Sequence, residues 1–173
     1  WKHSLACGIG ARLIALERRL PKADRLFVAG LLHDMGRLVL YLESPKVAMS
    51  VFELYRKERI LLREAEARVL GYDHQNIAEA LLRSWKYPPT LVLTVAHHHQ
   101  PTGCEAARVE AAVIHVADHL VNAMRMGSSG ERFVPPLNPQ AWATLGLTPG
   151  VIESGVSGID EQFEAVQEMF LGQ

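Results

Sequence analysis

The sequence predicts an all-α domain with a single core and no sheet. Three observations carry this. Apolar residues recur at spacings of three and four along almost the whole chain, as one face of a helix requires. No segment alternates apolar and polar residues convincingly, and the β-branched residues fall on helical stripes. Helix caps, prolines and glycines separate the periodic segments at intervals of roughly 8–20 residues.

The first helix is expected over about Lys2 to Leu20, with Ile9, Leu13, Leu16 and Leu20 at spacings of 4, 3 and 4 and Pro21 after it. A second begins at a cap, Asp24, and runs through Leu26, Phe27, Leu31 and Leu32 to Gly36 or just beyond. Ser44-Pro45 is a cap followed by a first-turn proline, opening a helix through Val47, Val51 and Leu54. A short charged helix covers about Leu62 to Leu70 and stops at Gly71, a residue suited to left-handed backbone. Asp73 caps the next, in which Ile77, Leu81 and Trp85 are four apart and Pro88-Pro89 closes the run. Another spans about Thr90 to His98, before Pro101 and Gly103. The most regular segment of the middle is Glu105 to Met126, where Val109, Val113, Val116, Leu120 and Ala123 follow a seven-residue repeat. Gly127 to Pro139 is rich in Gly, Ser and Pro and is the one long loop expected, a candidate for mobility. From Pro149 the tail carries Ile152, Val156, Ile159, Phe163, Val166 and Phe170 on one stripe, weakened at its start by Gly155 and Gly158.

At 173 residues, with 49% hydrophobic and 21% charged, the composition suits one globular domain over 1–173. A formal net charge of −1 leaves no electrostatic footprint for nucleic acid or anionic lipid. No apolar run approaches the roughly 18 residues of a spanning helix, so no membrane partner is expected and a cytoplasmic location is. The two cysteines, Cys7 and Cys104, form no CxxC pair and imply no disulfide framework. The chain opens at Trp1 inside a helical pattern, so it is expected to be the C-terminal part of a longer one.

The chemistry lies in the histidines and aspartates. His33-Asp34 ends an apolar helical run and offers an imidazole nitrogen and a carboxylate oxygen from adjacent positions. That pairing suits a divalent metal that activates water. His97-His98-His99 stands before a proline break, and Asp118 sits in the middle of an apolar helix, costly there unless paired or ligating. Taken singly, each has an ordinary reading. His3 would be a surface residue in a fraying turn and His74 a solvated residue after a cap. His115 and His119, four apart, would be a chelating pair or simply a polar helix face. As a set, brought together by neighbouring helices, they could aim at one point.

These residues carry a family resemblance. Trp1-Lys2-His3-Ser4-Leu5, Val28 to Arg37 around His33-Asp34-Met35-Gly36, and Leu70-Gly71-Tyr72-Asp73-His74 resemble stations of the HDOD family. So do Ala80 to Pro88 and His98-His99-Gln100-Pro101. HDOD is a divergent bacterial branch of the HD phosphohydrolase superfamily. The resemblance extends from Trp1 to about Leu120, and in this family an N-terminal helical half normally precedes the Trp-x-His-Ser helix. It implies metal ligation by His3, His33, Asp34 and Asp118, with His74, His98 and His99 added as in the HD-GYP relatives that hydrolyse cyclic di-GMP. Arg37, where the enzymes usually carry lysine, would hold a phosphate. The Gly-Tyr-Pro segment of the HD-GYP group is absent after His99, where Gln100-Pro101-Thr102-Gly103 stands instead. HDOD domains are generally signalling output modules joined to receiver or other regulatory domains. Two functions are therefore expected in competition. One is a bacterial output module that keeps an HD-type metal site and relays a signal to protein partners, with a regulatory or receiver domain upstream in the same chain. The other is a phosphohydrolase acting on a nucleotide or cyclic dinucleotide, with Asp34 as its catalytic carboxylate. Either would use one or two transition-metal ions, with iron, manganese, nickel and zinc equally suited to mixed His and carboxylate ligands.

Overall fold

The computed structural model describes the backbone of residues 1–171, leaving out the side chains of 149, 151–154 and 169–171. Regular structure among the described residues is entirely helical, as the periodicity requires. Helices α1 (Lys2–Glu17) and α2 (Ala23–Leu32) form an antiparallel pair. They cross with backbones in contact. A Cβ on Gly30 would stand 2.7 Å from the Gly8 Cα and 2.8 Å from the Cys7 carbonyl oxygen. This crossing sets the start of α1, with His3, beside the end of α2, with His33.

The second expected helix is in fact two. After Leu32 the chain turns at His33-Asp34 and restarts as α3 (Met35–Glu43), with Asp34 at its N-cap position. Gly36 explains why the turn lies here. A Cβ at this position would sit 2.0 Å from the carbonyl oxygen of His74, so α3 passes against the first turn of α6 (His74–Ser84) with no room for a side chain. Between them lie α4 (Pro45–Glu58), whose Ser44 cap position makes no side-chain capping bond, and α5 (Leu62–Leu70), ended by Gly71 at φ +82°. Asp73 caps α6 as expected, accepting from the Gln75 amide, while the Asn76 side chain returns a bond to the Asp73 amide. The buried face of α6 differs from the one the spacing suggested. His74, Gln75, Ala78 and Leu82 face inward, and Trp85 is exposed.

Helix α7 (Pro89–Ala96) leads through two 3-10 turns, Pro101–Gly103 and Glu105–Ala107, into α8 (Arg108–Met124). Every residue of α8 from Ala111 to His119 is buried. It is the central helix, and the seven-residue repeat understated it, because Val109 is partly exposed while Ala111, Ala112 and Ala117 are fully enclosed. Its small residues let α1, α2 and α7 approach closely, and Cys7, Ile14, Leu26, Leu82, Val92, Val95 and Ile114 fill the core between them. Val51, Tyr55, Leu62 and Ala65 form a separate small cluster that binds α4 to α5.

A further helix, α9 (Pro139–Leu145), was not evident in the spacing; Asn138 caps it through the amides of Gln140 and Ala141. The tail is α10 (Pro149–Leu171), docked on α1 and α8 by Ile159 and Phe163 against Ile9 and Val121. The stripe positions Ile152 and Phe170 lie outside the described side chains. Two interior glycines cost a helix about 1 kcal/mol each. Burying Ile159 and Phe163 returns about 2 kcal/mol each, so packing outweighs the poor local propensity. No helix among the described residues is long and apolar enough to cross a membrane.

Candidate metal centre

Seven predicted donors come from five places in the fold. His3 is in the first turn of α1, His33 and Asp34 form the α2–α3 turn, and His74 opens α6. His98 and His99 follow α7, and Asp118 projects from the middle of α8. The tertiary structure brings all seven together. His3 Nε2 lies 3.0 Å from Asp118 Oδ1, and His33 Nε2 lies 3.6 Å from the same oxygen. Asp34 points one oxygen each way. Its Oδ2 is 3.4 Å from His33 Nε2 and 3.8 Å from His3 Nε2, while Oδ1 is 3.4 Å from His74 Nε2. His99 Nε2 is 3.1 Å from His74 Nε2. Three donor groups within 4.8 Å result: His3, His33 and Asp118; His33, Asp34 and His98; and His74, His98 and His99.

The outer nitrogens show which tautomers are present. His33 Nδ1–H donates to the Gly30 carbonyl at 2.7 Å, and His98 Nδ1–H to the Val95 carbonyl at 2.7 Å. Each donation puts a lone pair on Nε2 of the neutral ring. Both of those Nε2 atoms are buried and without any hydrogen-bond partner. An unsatisfied buried acceptor costs about 1–3 kcal/mol, and two of them turned toward two carboxylates are the geometry a cation would relieve. His74 Nδ1 is 2.6 Å from Glu66 Oε2, so its Nε2 also faces inward.

Metal ligands must be neutral imidazoles and ionised carboxylates, and Asp34, Asp118, His98 and His99 are shifted that way. His33 is the exception: burial would lower it, but Cys7 and Asp34 outweigh burial and hold it well above its ordinary value, so a cation there would have to displace a proton. Burial alone would raise the Asp34 carboxyl, but Arg37 and His33 outweigh it and hold it well below the usual carboxylate range. Burial likewise opposes ionisation of Asp118, and the hydrogen bond with His3 together with the adjacent His33 ring overcomes it and holds Asp118 well below the usual carboxylate range. Burial, then the neighbouring His33 and His74, pushes His98 well down; burial and His98 do the same to His99.

Arg37 does not stand free. Its Nη1 donates to both Asp34 oxygens at 3.1 Å, and its Nε donates to Glu66 Oε1 at 2.9 Å. Glu66 escaped the sequence reading. It is wholly buried, joins Arg37 to His74, and also accepts from the His74 amide at 3.0 Å. Its signal was there: Leu62, Ala65 and Glu66 share the inward face of α5, and a carboxylate on an apolar stripe needs a partner. Asn122, one turn beyond Asp118, was missed as well; its Nδ2 donates to Asp118 Oδ1 at 2.7 Å.

The remaining histidines belong to none of the donor groups among the described residues. His115 uses Nδ1 on the His98 carbonyl and accepts the Asn138 amide at Nε2. His119 lies against the carbonyls of His115 and Pro135. Both are spent on backbone, which removes the chelating-pair reading. Beside the centre, a cavity of about 930 Å³ exposes His3, Asp34 and Arg37 on its floor between walls that include Leu5, Leu31, Met35 and Leu38.

A helical domain with a buried His and Asp donor set gathered from helix ends and one mid-helix aspartate belongs to the class of HD-like domains. The family comparison is specific: the model of the HDOD domain matches residues 1–101, and the chain belongs to the HDOD family. That match ends before Asp118, which the sequence resemblance had included. An HDOD domain protein of unknown function from Geobacter sulfurreducens is 27% identical, with a TM-score of 0.84 over 99% of this chain and 62% of its own. A candidate phosphohydrolase from Shewanella amazonensis shares the fold at 21% identity and a TM-score of 0.70, over 94% of this chain and 62% of its own. A candidate signal-transduction protein from Marinobacter aquaeolei does so at 20% and 0.79, over 98% of this chain and 38% of its own. The chain thus spans less than two thirds of each of these proteins. No curated protein matches it.

Proposed function

We propose that this domain is a bacterial, cytoplasmic signal-transduction output module that retains an HD-type metal centre. In this reading it relays a signal from a regulatory or receiver domain in the same full-length chain to protein partners. Membership of the HDOD family supports the signalling role, as does the description of the Marinobacter neighbour. One observation carries the metal centre: His33 and His98 both place a buried Nε2 atom with no hydrogen-bond partner beside an ionised Asp34. His3, His33, Asp34 and Asp118 would hold one ion and His74, His98 and His99 a second, with Asp34 facing both groups. A bound divalent ion would supply Lewis-acid polarisation there. Iron, manganese, nickel and zinc all suit this donor set.

The phosphohydrolase reading rests on the same two-sided placement of Asp34, which would make it the catalytic carboxylate, and on Arg37 beside it for a phosphate. The turn Pro101–Gly103 stands where the cyclic di-GMP hydrolases carry their own segment, so signalling is preferred. The test is elemental analysis of untagged protein against His33→Ala, with a cyclic di-GMP product assay on the metal-loaded samples. Metal retained by the parent and lost from the folded variant, with little or no turnover, is the expected result. A parent that takes up no metal removes the centre. Turnover near about 1 per second, abolished in His33→Ala/Asp34→Ala, replaces the output module by the hydrolase.

A further inference from the structure

The face of the centre beyond Asp118 is closed by residues 127–138, which connect α8 to α9. This connection is fastened along its length. The Ser129 carbonyl accepts from Arg37 Nη1 at 3.4 Å, and the Ser129 hydroxyl donates to Asn122 Oδ1 at 3.2 Å. Glu131 Oε2 accepts the Leu62 amide at 2.8 Å, in the first turn of α5. The Arg132 amide donates to the Tyr55 hydroxyl, and the Asn138 amide to His115 Nε2 at 2.9 Å. Beneath lies a chamber of about 10 Å³, with Arg37, Arg63, His99 and Asp118 below and Ser129 and Glu131 above. That is room for about one water and not for a phosphate.

Arg63 is the unexplained member. It is half-buried in the first turn of α5 and lines the chamber, yet has neither ion pair nor hydrogen bond among the described residues. A guanidinium left unpaired next to a metal-type donor set is suited to an anion with several acceptor oxygens. The carboxylate of Glu131 sits at the same helix end, where the peptide dipoles favour negative charge. Asp118 opposes an anion, but its Oδ1 is already shared between His3 and Asn122.

We propose that this chamber is the closed form of a site for the phosphate group of an organic phosphate, with Arg63 as its recognition cation and the 127–138 strap, latched by Glu131, as the competitor that leaves when the anion enters. This rests on the metal-centre reading for its neighbours, but its test does not require the metal. Lifting Glu131 frees the amide of Leu62 and opens Arg63 to the ligand, so binding and strap release are one event.

Inorganic phosphate is the probe, titrated calorimetrically into the whole 173-residue chain at constant ionic strength, with metal content measured on the same samples. Arg63→Gln weakens binding about tenfold, the scale of one charge-assisted contact. Glu131→Ala tightens it about fivefold, because the strap loses one hydrogen bond. Tyr55→Phe, which removes the hydroxyl that holds Arg132 but keeps the ring packed on Leu62 and Ala65, shifts affinity the same way and guards against a folding defect in the Glu131 variant. Phosphate also speeds tryptic cleavage after Arg132 in the parent. Unchanged affinity in Arg63→Gln, or no tightening in either strap variant, overturns the proposal. Absence of metal with these phosphate effects intact overturns the metal centre alone.

Discussion

Replacing Glu66 by Gln tests whether the donor set depends on a residue that never touches a metal. Glu66 is fully enclosed and accepts from Arg37 Nε at 2.9 Å and from the His74 amide at 3.0 Å, with His74 Nδ1 at 2.6 Å. Burial alone would raise its carboxyl, but His74 and then Arg37 bring it from 4.5 down to about 2. That difference corresponds to about 3 kcal/mol of interaction that only the ionised form enjoys. It agrees with the usual cost of breaking a buried ion pair, about 3–5 kcal/mol. The amide keeps the shape but loses the charge, and Arg37 is left with Asp34 as its one carboxylate partner. We therefore expect urea unfolding at pH 7 to show a loss of about 3 kcal/mol, or about 10 °C in melting temperature for a domain of this size. The pH dependence follows from the direction of the shift. A depressed carboxyl stabilises fully above its unfolded value near 4.5, and that contribution fades as pH falls toward about 2. The gap between parent and variant should be widest at neutral pH and narrow below 4.5. Metal retention should fall as well, by about 10–100-fold in affinity, since His74 loses the group that orients it. A variant within about 1 kcal/mol of the parent, with a gap that does not change with pH, would refute the reasoning.

Two further outcomes are expected. Gly36→Ala should cost about 3 kcal/mol by the urea midpoint, because its Cβ would meet the His74 carbonyl oxygen at 2.0 Å and backbone cannot yield cheaply; wild-type stability would show that α3 and α6 sit farther apart. His115→Ala and His119→Ala should keep their metal while tryptic cleavage within 127–138 accelerates, since both side chains hold backbone of that strap; metal lost from these but kept in His74→Ala and His98→Ala would reverse the assignment of ligands.

The fold class and most helices were legible because helix formation is largely local. The Asp73 cap, the Gly71 stop and the Ser44-Pro45 start each need only a few neighbouring residues, and they stand where the sequence placed them. Asp118 was legible for a related reason, since a carboxylate in an apolar helix must find a partner. What the sequence could not settle were facts made by distant contact. The break at His33-Asp34 depends on Gly36 meeting His74, which is 38 positions away in sequence. Glu66 looked like one more charge on a charged helix until α5 turned it toward Arg37 and His74. His115 and His119 carried the spacing of ligands, yet the strap from 127 to 138 takes their nitrogens for backbone, and a loop expected to be mobile proves fastened along its length. Spacing along a helix says which residues share a face; only the packing of helices says what that face meets.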